Sequence, residues 1–188
     1  MRKIFIVLVL PGFLLACNNS KETAKEDATV KSATDSTGQK ETPPAEFADS
    51  KYMDWGKKHQ MEFQNGDIDA WVSQFADNVV YLWSAGDSLT GKEAVTKYWK
   101  ERRGNVIKDI KFTDDIWLPI KVNKSQTAND IPGVWLLSWY QVHATYNTGK
   151  SLEFGVHNVM HFNDKDQVDR VVQYIDRAPI NAATMKAK

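Results

Sequence analysis

Hydrophobic residues follow a helical period in the first part of the region that reads as globular. Residues 51–65 place large side chains at spacings of three and four, which form one face of an α-helix. A second short helix is predicted over residues 67–75. A third helix is predicted from Thr90 to Arg103, because Thr90 and Glu93 have the spacing of a capping box. The face of the first helix consists of Tyr52, Trp55, His59 and Phe63.

The rest of this region alternates with the period of two that is typical of strands. Two short loops rich in Asn, Gly and Asp, residues 147–150 and 163–166, have the composition of hairpin turns. These elements predict an α+β domain, a cone-shaped curved antiparallel sheet with about three N-terminal helices packed on its concave face. The predicted strands are residues 79–83, 106–112, 116–122, 134–146, 151–162 and 168–177.

The start of the chain has the pattern of an export signal. A basic tripeptide precedes an apolar core of about ten residues, which is shorter than the roughly 20 residues of a membrane-spanning helix. The core ends in Leu-Leu-Ala-Cys at residues 14–17, which resembles the lipobox of bacterial lipoproteins. The resemblance implies that residues 1–16 are a signal peptide that is removed. It also implies that Cys17 is acylated and anchors the chain in a membrane, with more than one acyl chain for stable attachment.

The predicted domain organisation follows from composition. Residues 17–50 hold the acylated Cys and are otherwise mostly polar or small, so a disordered tether is expected there. Residues 51–180 form the predicted domain, and residues 181–188 form a flexible tail. The formal net charge is zero, with 24 basic and 24 acidic residues, so nucleic acid is not an expected partner. The expected location is the cell envelope, with the domain facing the periplasm or the cell exterior.

Three short segments carry a resemblance to a known fold family. Residues 65–71 (NGDIDAW), 75–80 (FADNVV) and 91–95 (GKEAV), together with the closing hairpin, resemble SnoaL-like domains of the nuclear transport factor 2-like superfamily. The resemblance covers about residues 51–178 and implies a cone-shaped fold with a deep pocket. Because that superfamily hosts isomerases, cyclases, dehydratases and non-catalytic binding domains, the fold alone does not give a function.

The pocket-facing side of the sheet is predicted from the alternation of its strands. If Tyr146 pairs near Ser151 and Phe162 near Val168, the more apolar face would lie beneath the helices, and the other face would hold Ser138, Tyr140, Glu153, His157, His161, Gln173 and Arg177. Asn158, His143 and Asp176 are then expected to converge on one aromatic cavity. The predicted ligand-binding residues are His59, Tyr81, Trp83, Trp139, Phe154, Asn158 and Tyr174.

Two residues are candidates for catalysis. Asp176 stands where the resemblance to SnoaL-type cyclases would place a catalytic Asp, and a buried carboxylate is a possible general base. The alternative is that Asp176 accepts loop hydrogen bonds at a strand end. His143 is a second candidate, with a structural hydrogen bond as its alternative. No cofactor is expected, and no metal site, because His157 and His161 have no further ligands to complete a set.

From the same resemblance, the proton abstraction of ketosteroid isomerases is not expected here, although His59 and Asn158 could still hydrogen-bond a ligand carbonyl. The places of the base, Tyr and Asp of ketosteroid isomerases hold Trp83, His59 and Asn158 here, and Trp cannot abstract a proton.

Three functions remain after these arguments. The first is a membrane-tethered module that binds a small, mostly apolar ligand without catalysis. The second is an acid–base enzyme of the isomerase, cyclase or dehydratase type that uses Asp176. The third is an envelope interaction module that forms a homodimer through its sheet or binds another protein.

Overall fold

The computed structural model describes residues 41–128 and 130–185. The predicted signal peptide, the predicted acylation of Cys17 and most of the predicted tether lie outside the described residues. Among the described helices, none has both the length and the apolar composition needed to span a membrane.

The helical elements are four α-helices and one π-helix. Helix α1 covers Lys51–Asn65, α2 Ile68–Ser73, α3 Lys92–Glu101 and α4 Ala178–Thr184, and the π-helix Arg102–Val106 follows α3 directly. Helix α1 ends as predicted because Gly66 has a left-handed φ of 82° and its N–H donates to the Phe63 carbonyl. The N-cap of α3 is Gly91, and no described side chain caps this helix. The predicted capping box of Thr90 and Glu93 is therefore wrong.

Seven strands form one curved sheet. They are β1 Ala45–Phe47, β2 Phe75–Trp83, β3 Ser88–Thr90, β4 Ile107–Val122, β5 Gly133–Tyr146, β6 Ser151–Phe162 and β7 Val168–Tyr174, in the spatial order β1-β4-β5-β6-β7-β2-β3. The predicted α+β class, with helices against a curved sheet, is confirmed. Strands β2 and β7 run parallel, however, so the sheet is mixed and not purely antiparallel. No hairpin joins these two strands, so turn chemistry could not indicate their direction.

A bulge produces part of the curvature. The two strands predicted over residues 106–112 and 116–122 are a single strand, β4, with an irregular register between Thr113 and Ile116. Asp114 lies there with a positive φ of 55°, a backbone conformation that Asp tolerates better than most residues. Bulges of this kind bend a strand and increase its twist.

Both ends of the described region are more ordered than the sequence predicted. Strand β1 pairs with the edge of β4 through Ala45 and Val122, within the segment predicted as tether. Helix α4 continues to Thr184, within the predicted tail, and it buries Ile180 and Ala183. The Thr148 hydroxyl donates to the Ala183 carbonyl at 2.6 Å, which ties α4 to the β5–β6 hairpin. Short segments with few apolar residues gave no periodic signal for either element.

Helix α1 approaches the sheet very closely at Gly56. A Cβ at this position would lie 2.6 Å from the Trp117 ring and 2.9 Å from Leu136, so a larger residue would force the helix away. The buried core lies between the helices and the concave face of the sheet. The core does not fill all of this space, and the remainder is a cavity.

Candidate ligand-binding cavity

A cavity of about 140 Å³ lies on the concave face of the sheet, beneath the helices. An apolar cavity of about this size is large enough for one aromatic ring. Residues of all four α-helices and of the π-helix line it, together with inward side chains of β2, β4, β5, β6 and β7. The apolar and aromatic part of the lining includes Phe63, Trp71, Trp99, Phe112, Val142 and Phe154.

His59 is the buried histidine of this cavity. Its imidazole lies between two indoles, with ring centroids 4.5 Å from Trp55 and 4.9 Å from Trp71, nearly parallel to both. Burial lowers the pKa of His59 to about 3, and the charge of Lys58 acts in the same direction. At neutral pH the ring is therefore uncharged and can only donate or accept a hydrogen bond.

A set of polar side chains crosses the floor of the cavity. The Asn158 amide donates to the Tyr140 hydroxyl at 2.6 Å, and the Trp83 indole N–H donates to Gln173 Oε1 at 2.9 Å. Burial raises the pKa of Tyr140, while hydrogen bonds from Gln173 and Asn158 oppose that rise. Burial also raises the pKa of Tyr81 well above its ordinary value. Both phenols therefore remain protonated at any physiological pH.

Three residues that line the cavity each keep one buried polar atom without a hydrogen-bond partner among the described residues. These atoms are Asn158 Oδ1, Trp99 Nε1 and Gln60 Nε2. An unpaired buried donor or acceptor costs about 1–3 kcal/mol, so native proteins seldom leave several together. Their presence around one cavity is expected if a bound molecule supplies the missing partners.

Two arginines stand at the rim of the cavity. Arg177 forms two hydrogen bonds of 2.8 Å with Asp87, and its guanidinium also lies over the Trp83 ring. These hydrogen bonds from Arg177 lower the pKa of Asp87. The guanidinium carbon of Arg102 lies 5.7 Å from the centre of the Tyr98 ring.

The structure brings together five of the predicted ligand-binding residues. They are His59, Tyr81, Trp83, Phe154 and Asn158. The three positions that the ketosteroid isomerase comparison singled out, His59, Trp83 and Asn158, thus line one cavity.

The other predicted residues of β5 and β7 lie on the opposite face of the sheet. Trp139 and Tyr174 are 39% and 49% exposed, and each stacks on His157 of β6. His143 lies 3.4 Å from Glu153, and its other ring nitrogen lies 3.1 Å from the Thr113 hydroxyl. The prediction that Trp139, Tyr174 and His143 face the cavity is therefore wrong.

A shift of one residue explains this error. The sequence predicted that Tyr146 pairs near Ser151, whereas Thr145 pairs with Ser151. Between β6 and β7 a bulge at His161 and Phe162 moves the register by one residue as well. Because side chains alternate between faces, one residue exchanges the inner and outer sets of a strand.

Asp176 also lies away from the cavity. It follows the end of β7 on the surface, and its carboxylate accepts a hydrogen bond of 2.9 Å from the Ala178 N–H at the start of α4. The predicted convergence of Asp176 and His143 with Asn158 is therefore wrong, because β7 ends at Tyr174 before it reaches Asp176. The observed hydrogen bond is the structural alternative that the sequence left open.

The sequence placed Tyr140 and Gln173 on the outer face, but both line the cavity, and it did not predict Arg102 at the rim. The correct strand register would have placed Tyr140 and Gln173 on the inner face. A search for clusters of three or more metal-binding side chains finds none within the described part of the chain.

The fold and the cavity define the class of the protein. A curved sheet covered by N-terminal helices is the nuclear transport factor 2-like fold, and several solved structures share it. An NTF2-like protein of unknown function from Burkholderia pseudomallei is 12% identical, with a TM-score of 0.56 over 71% of this chain and 97% of that chain. A proposed polyketide cyclase from Xanthomonas campestris is 20% identical, with a TM-score of 0.56 over 71% and 96% of the two chains. A proposed isomerase from Bacillus subtilis is 15% identical, with a TM-score of 0.55 over 71% and 92%.

The sequence narrows this class to one family. The profile of the SnoaL-like domain matches residues 59–171, which is more than half of the chain. The chain therefore belongs to the SnoaL-like domain family, as its resemblance predicted. A search among curated proteins finds no sequence that matches significantly.

Proposed function

We propose that this chain is an envelope lipoprotein whose SnoaL-like domain binds a small, mostly apolar ring compound and does not transform it. The observation that carries this proposal is the aromatic cavity of about 140 Å³, of which three lining residues, Asn158, Trp99 and Gln60, each have a buried polar atom without a partner among the described residues. A cavity with apolar walls and a few polar groups is the usual form of a small-molecule site.

The chemistry of the lining favours binding over acid–base catalysis. Neither Asp176 nor His143 lines the cavity, and the lining contains no Asp or Glu among the described residues. His59 has its pKa near 3 and is a weak base at neutral pH. The polyketide cyclase and isomerase named above share the fold, but at 20% and 15% identity they give no reaction for this chain.

A ligand screen tests the binding proposal. Single-ring compounds, both neutral and charged, are added to the purified full-length protein, and the melting temperature is measured. A compound that occupies the cavity at 100 times its Kd stabilises the folded state by about 2.7 kcal/mol. Mass spectrometry of the bound compound after long incubation then separates binding from turnover. Chemical conversion of the compound by the protein would favour an enzyme instead.

The membrane tether rests on the lipobox at residues 14–17. In this proposal Cys17 carries all acyl chains, so Cys17→Ser leaves the protein in the soluble fraction while the wild-type protein partitions into detergent. The mass of the wild-type mature protein should exceed that of the polypeptide from residue 17 by the acyl groups. A free thiol on membrane-bound Cys17 would refute the tether.

A second candidate function, self-association, rests on the outer face of the sheet. Four adjacent strands present a row of side chains there: Ile116, Trp139, His157 and Tyr174. Ile116 is 61% exposed, Tyr174 49% and Trp139 39%. We propose that a second copy of the chain covers this row, because contiguous apolar patches on a sheet commonly mark interfaces.

Sedimentation of the full-length protein in detergent tests this second proposal. The wild-type protein should be a dimer, and Trp139→Asp should be a monomer with an unchanged cavity. The matched control is Lys111→Asp, because Lys111 lies outside the row on the neighbouring strand β4 and is exposed. A monomeric wild-type protein would exclude the homodimer.

A further inference from the structure

Arg102 occupies a distinctive place at the rim of the cavity. It is the first residue of the π-helix that follows α3, and it is partly exposed. Its guanidinium packs against the Tyr98 ring. It lines the cavity together with Tyr146, and its charge opposes the rise that burial produces in the pKa of the Tyr146 phenol. These neighbours hold the guanidinium at the cavity without neutralising it.

The two neighbouring arginines are already occupied. Arg177 is bound by both carboxylate oxygens of Asp87. Arg103 donates to the backbone carbonyls of Phe63, Gln64 and Ile107. Among the described residues, Arg102 has no carboxylate within salt-bridge distance and no side-chain or backbone acceptor. Its planar set of donors is thus available to a ligand.

The surroundings of Arg102 also favour an anion. No Asp or Glu of the described residues lines the cavity, so nothing there opposes a negative charge. Trp99, three residues earlier, also lines the cavity, and its indole N–H has no partner among the described residues. The Gln60 amide, also in the lining, is a further donor without a partner in the described part of the chain. The cavity thus combines aromatic walls with hydrogen-bond donors and the guanidinium of Arg102, which the described residues leave unpaired. This combination suits an aromatic ring that carries a carboxylate.

We propose that the ligand of this cavity is a small aromatic acid whose ring lies among the aromatic walls and whose carboxylate binds the Arg102 guanidinium. This inference rests on the proposed function, since it requires that the cavity binds a ligand. Guanidinium and carboxylate match as a planar, two-bond pair, and such charge-assisted hydrogen bonds are about twice as strong as neutral ones. Recognition of a neutral ring compound would leave Arg102 without a role.

Two matched pairs of probes test the inference by calorimetry on the full-length protein. Benzoate is compared with benzamide, and phenylacetate with phenylacetamide, because the members of each pair share their shape and differ in charge. We expect each acid to bind the wild-type protein at least about tenfold more tightly than its amide, as one charge-assisted pair of about 1.4 kcal/mol gives. Arg102→Gln should remove this preference and leave amide binding unchanged.

Lys100→Gln is the matched control, because it removes the same charge two residues earlier, at the end of α3 and outside the cavity. Lys100 is exposed and pairs with Asp69 at 2.7 Å. This variant should keep the tenfold preference. If the melting temperature shows that Arg102→Gln is unfolded, Arg102→Lys keeps the charge without the two-bond geometry and should give an intermediate preference.

The outcomes separate the inference from the function beneath it. Equal binding of acids and amides by the wild-type protein would overturn the inference and leave the binding function standing. A preference for acids that survives in Arg102→Gln would also overturn it. Binding of none of the four probes would count against the binding function itself, and the inference would fall with it.

Discussion

The imidazole of His59 lies nearly parallel to the indole of Trp71, with 4.9 Å between the two ring centroids, inside the cavity. Because the ring is buried, its pKa falls to about 3. A histidine is thereby kept neutral among aromatic side chains, and protonation of this ring is linked to unfolding.

Stability should therefore fall as the pH falls from about 6.5 to about 3. Over this range the unfolded state binds a proton on His59 that the folded state does not bind, so the free energy of unfolding decreases with decreasing pH. The expected contribution is about 1.4 kcal/mol for each pH unit. Urea denaturation at several pH values measures it.

His59→Phe separates this effect from that of other groups, since it keeps an aromatic ring between the indoles and removes the titration. The pKa values of Asp87 and Asp166 are lowered, chiefly by hydrogen bonds from Arg177 and from Lys51 respectively, so both also contribute to acid sensitivity. The slope of the wild-type protein should exceed that of His59→Phe between about pH 6 and pH 4. Equal slopes would show that His59 does not titrate as its burial requires.

Gly56 should be intolerant of even one methyl group. In Gly56→Ala the new Cβ would meet the Trp117 ring at 2.6 Å, and overpacking of this kind costs about 1–3 kcal/mol. The helix propensity of Ala returns about 1 kcal/mol, so we expect a net loss of stability. Thermal unfolding measures the difference.

Gly104→Ala is the control for that substitution, because no heavy atom of residues 41–128 or 130–185 lies within 4 Å of a Cβ at Gly104. This variant should be as stable as the wild-type protein or slightly more stable. If Gly56→Ala matched Gly104→Ala in melting temperature, helix α1 would not pack against the sheet as closely as described.

His161 should contribute to stability and not to binding. It is 4% exposed, and its two ring nitrogens lie 2.6 Å from Asp169 Oδ1 and 3.1 Å from the Pro132 carbonyl oxygen. His161→Leu leaves these acceptors without a partner, and we expect a loss of about 1–3 kcal/mol. His143→Leu, on the exposed outer face, should change stability by less than about 0.5 kcal/mol. Similar losses in the two variants would contradict the structural role of His161.

The fold was more predictable than the site, and register explains the difference. Helix α1 and strand β6 were predicted with the bounds that the structure has, because strong periodicity and a terminal Gly or turn marked both ends. The inner and outer faces of β5 and β7 were not predicted correctly, since both faces of this sheet carry apolar side chains. Trp139 on the outside and Tyr140 on the inside are equally good candidates by composition.

The features that the sequence could not indicate depend on contacts between distant segments. The parallel pairing of β2 with β7 joins residues about 90 positions apart, and no turn specifies it. Only the structure shows which arginine at the rim the described residues leave free to bind a ligand, because it shows that Asp87 is bound by Arg177 and not by Arg102. A one-residue bulge at His161 and Phe162 decided which side of β7 faces the cavity.

Filling the cavity tests the binding function most directly. Val142 is buried on β5 and lines the cavity, so Val142→Phe places a ring in the space that a ligand would take. Calorimetry with the tightest compound from the screen should show binding to the wild-type protein and none to Val142→Phe, with both proteins folded by circular dichroism. Equal affinity of the two proteins would place the compound elsewhere and contradict binding in this cavity.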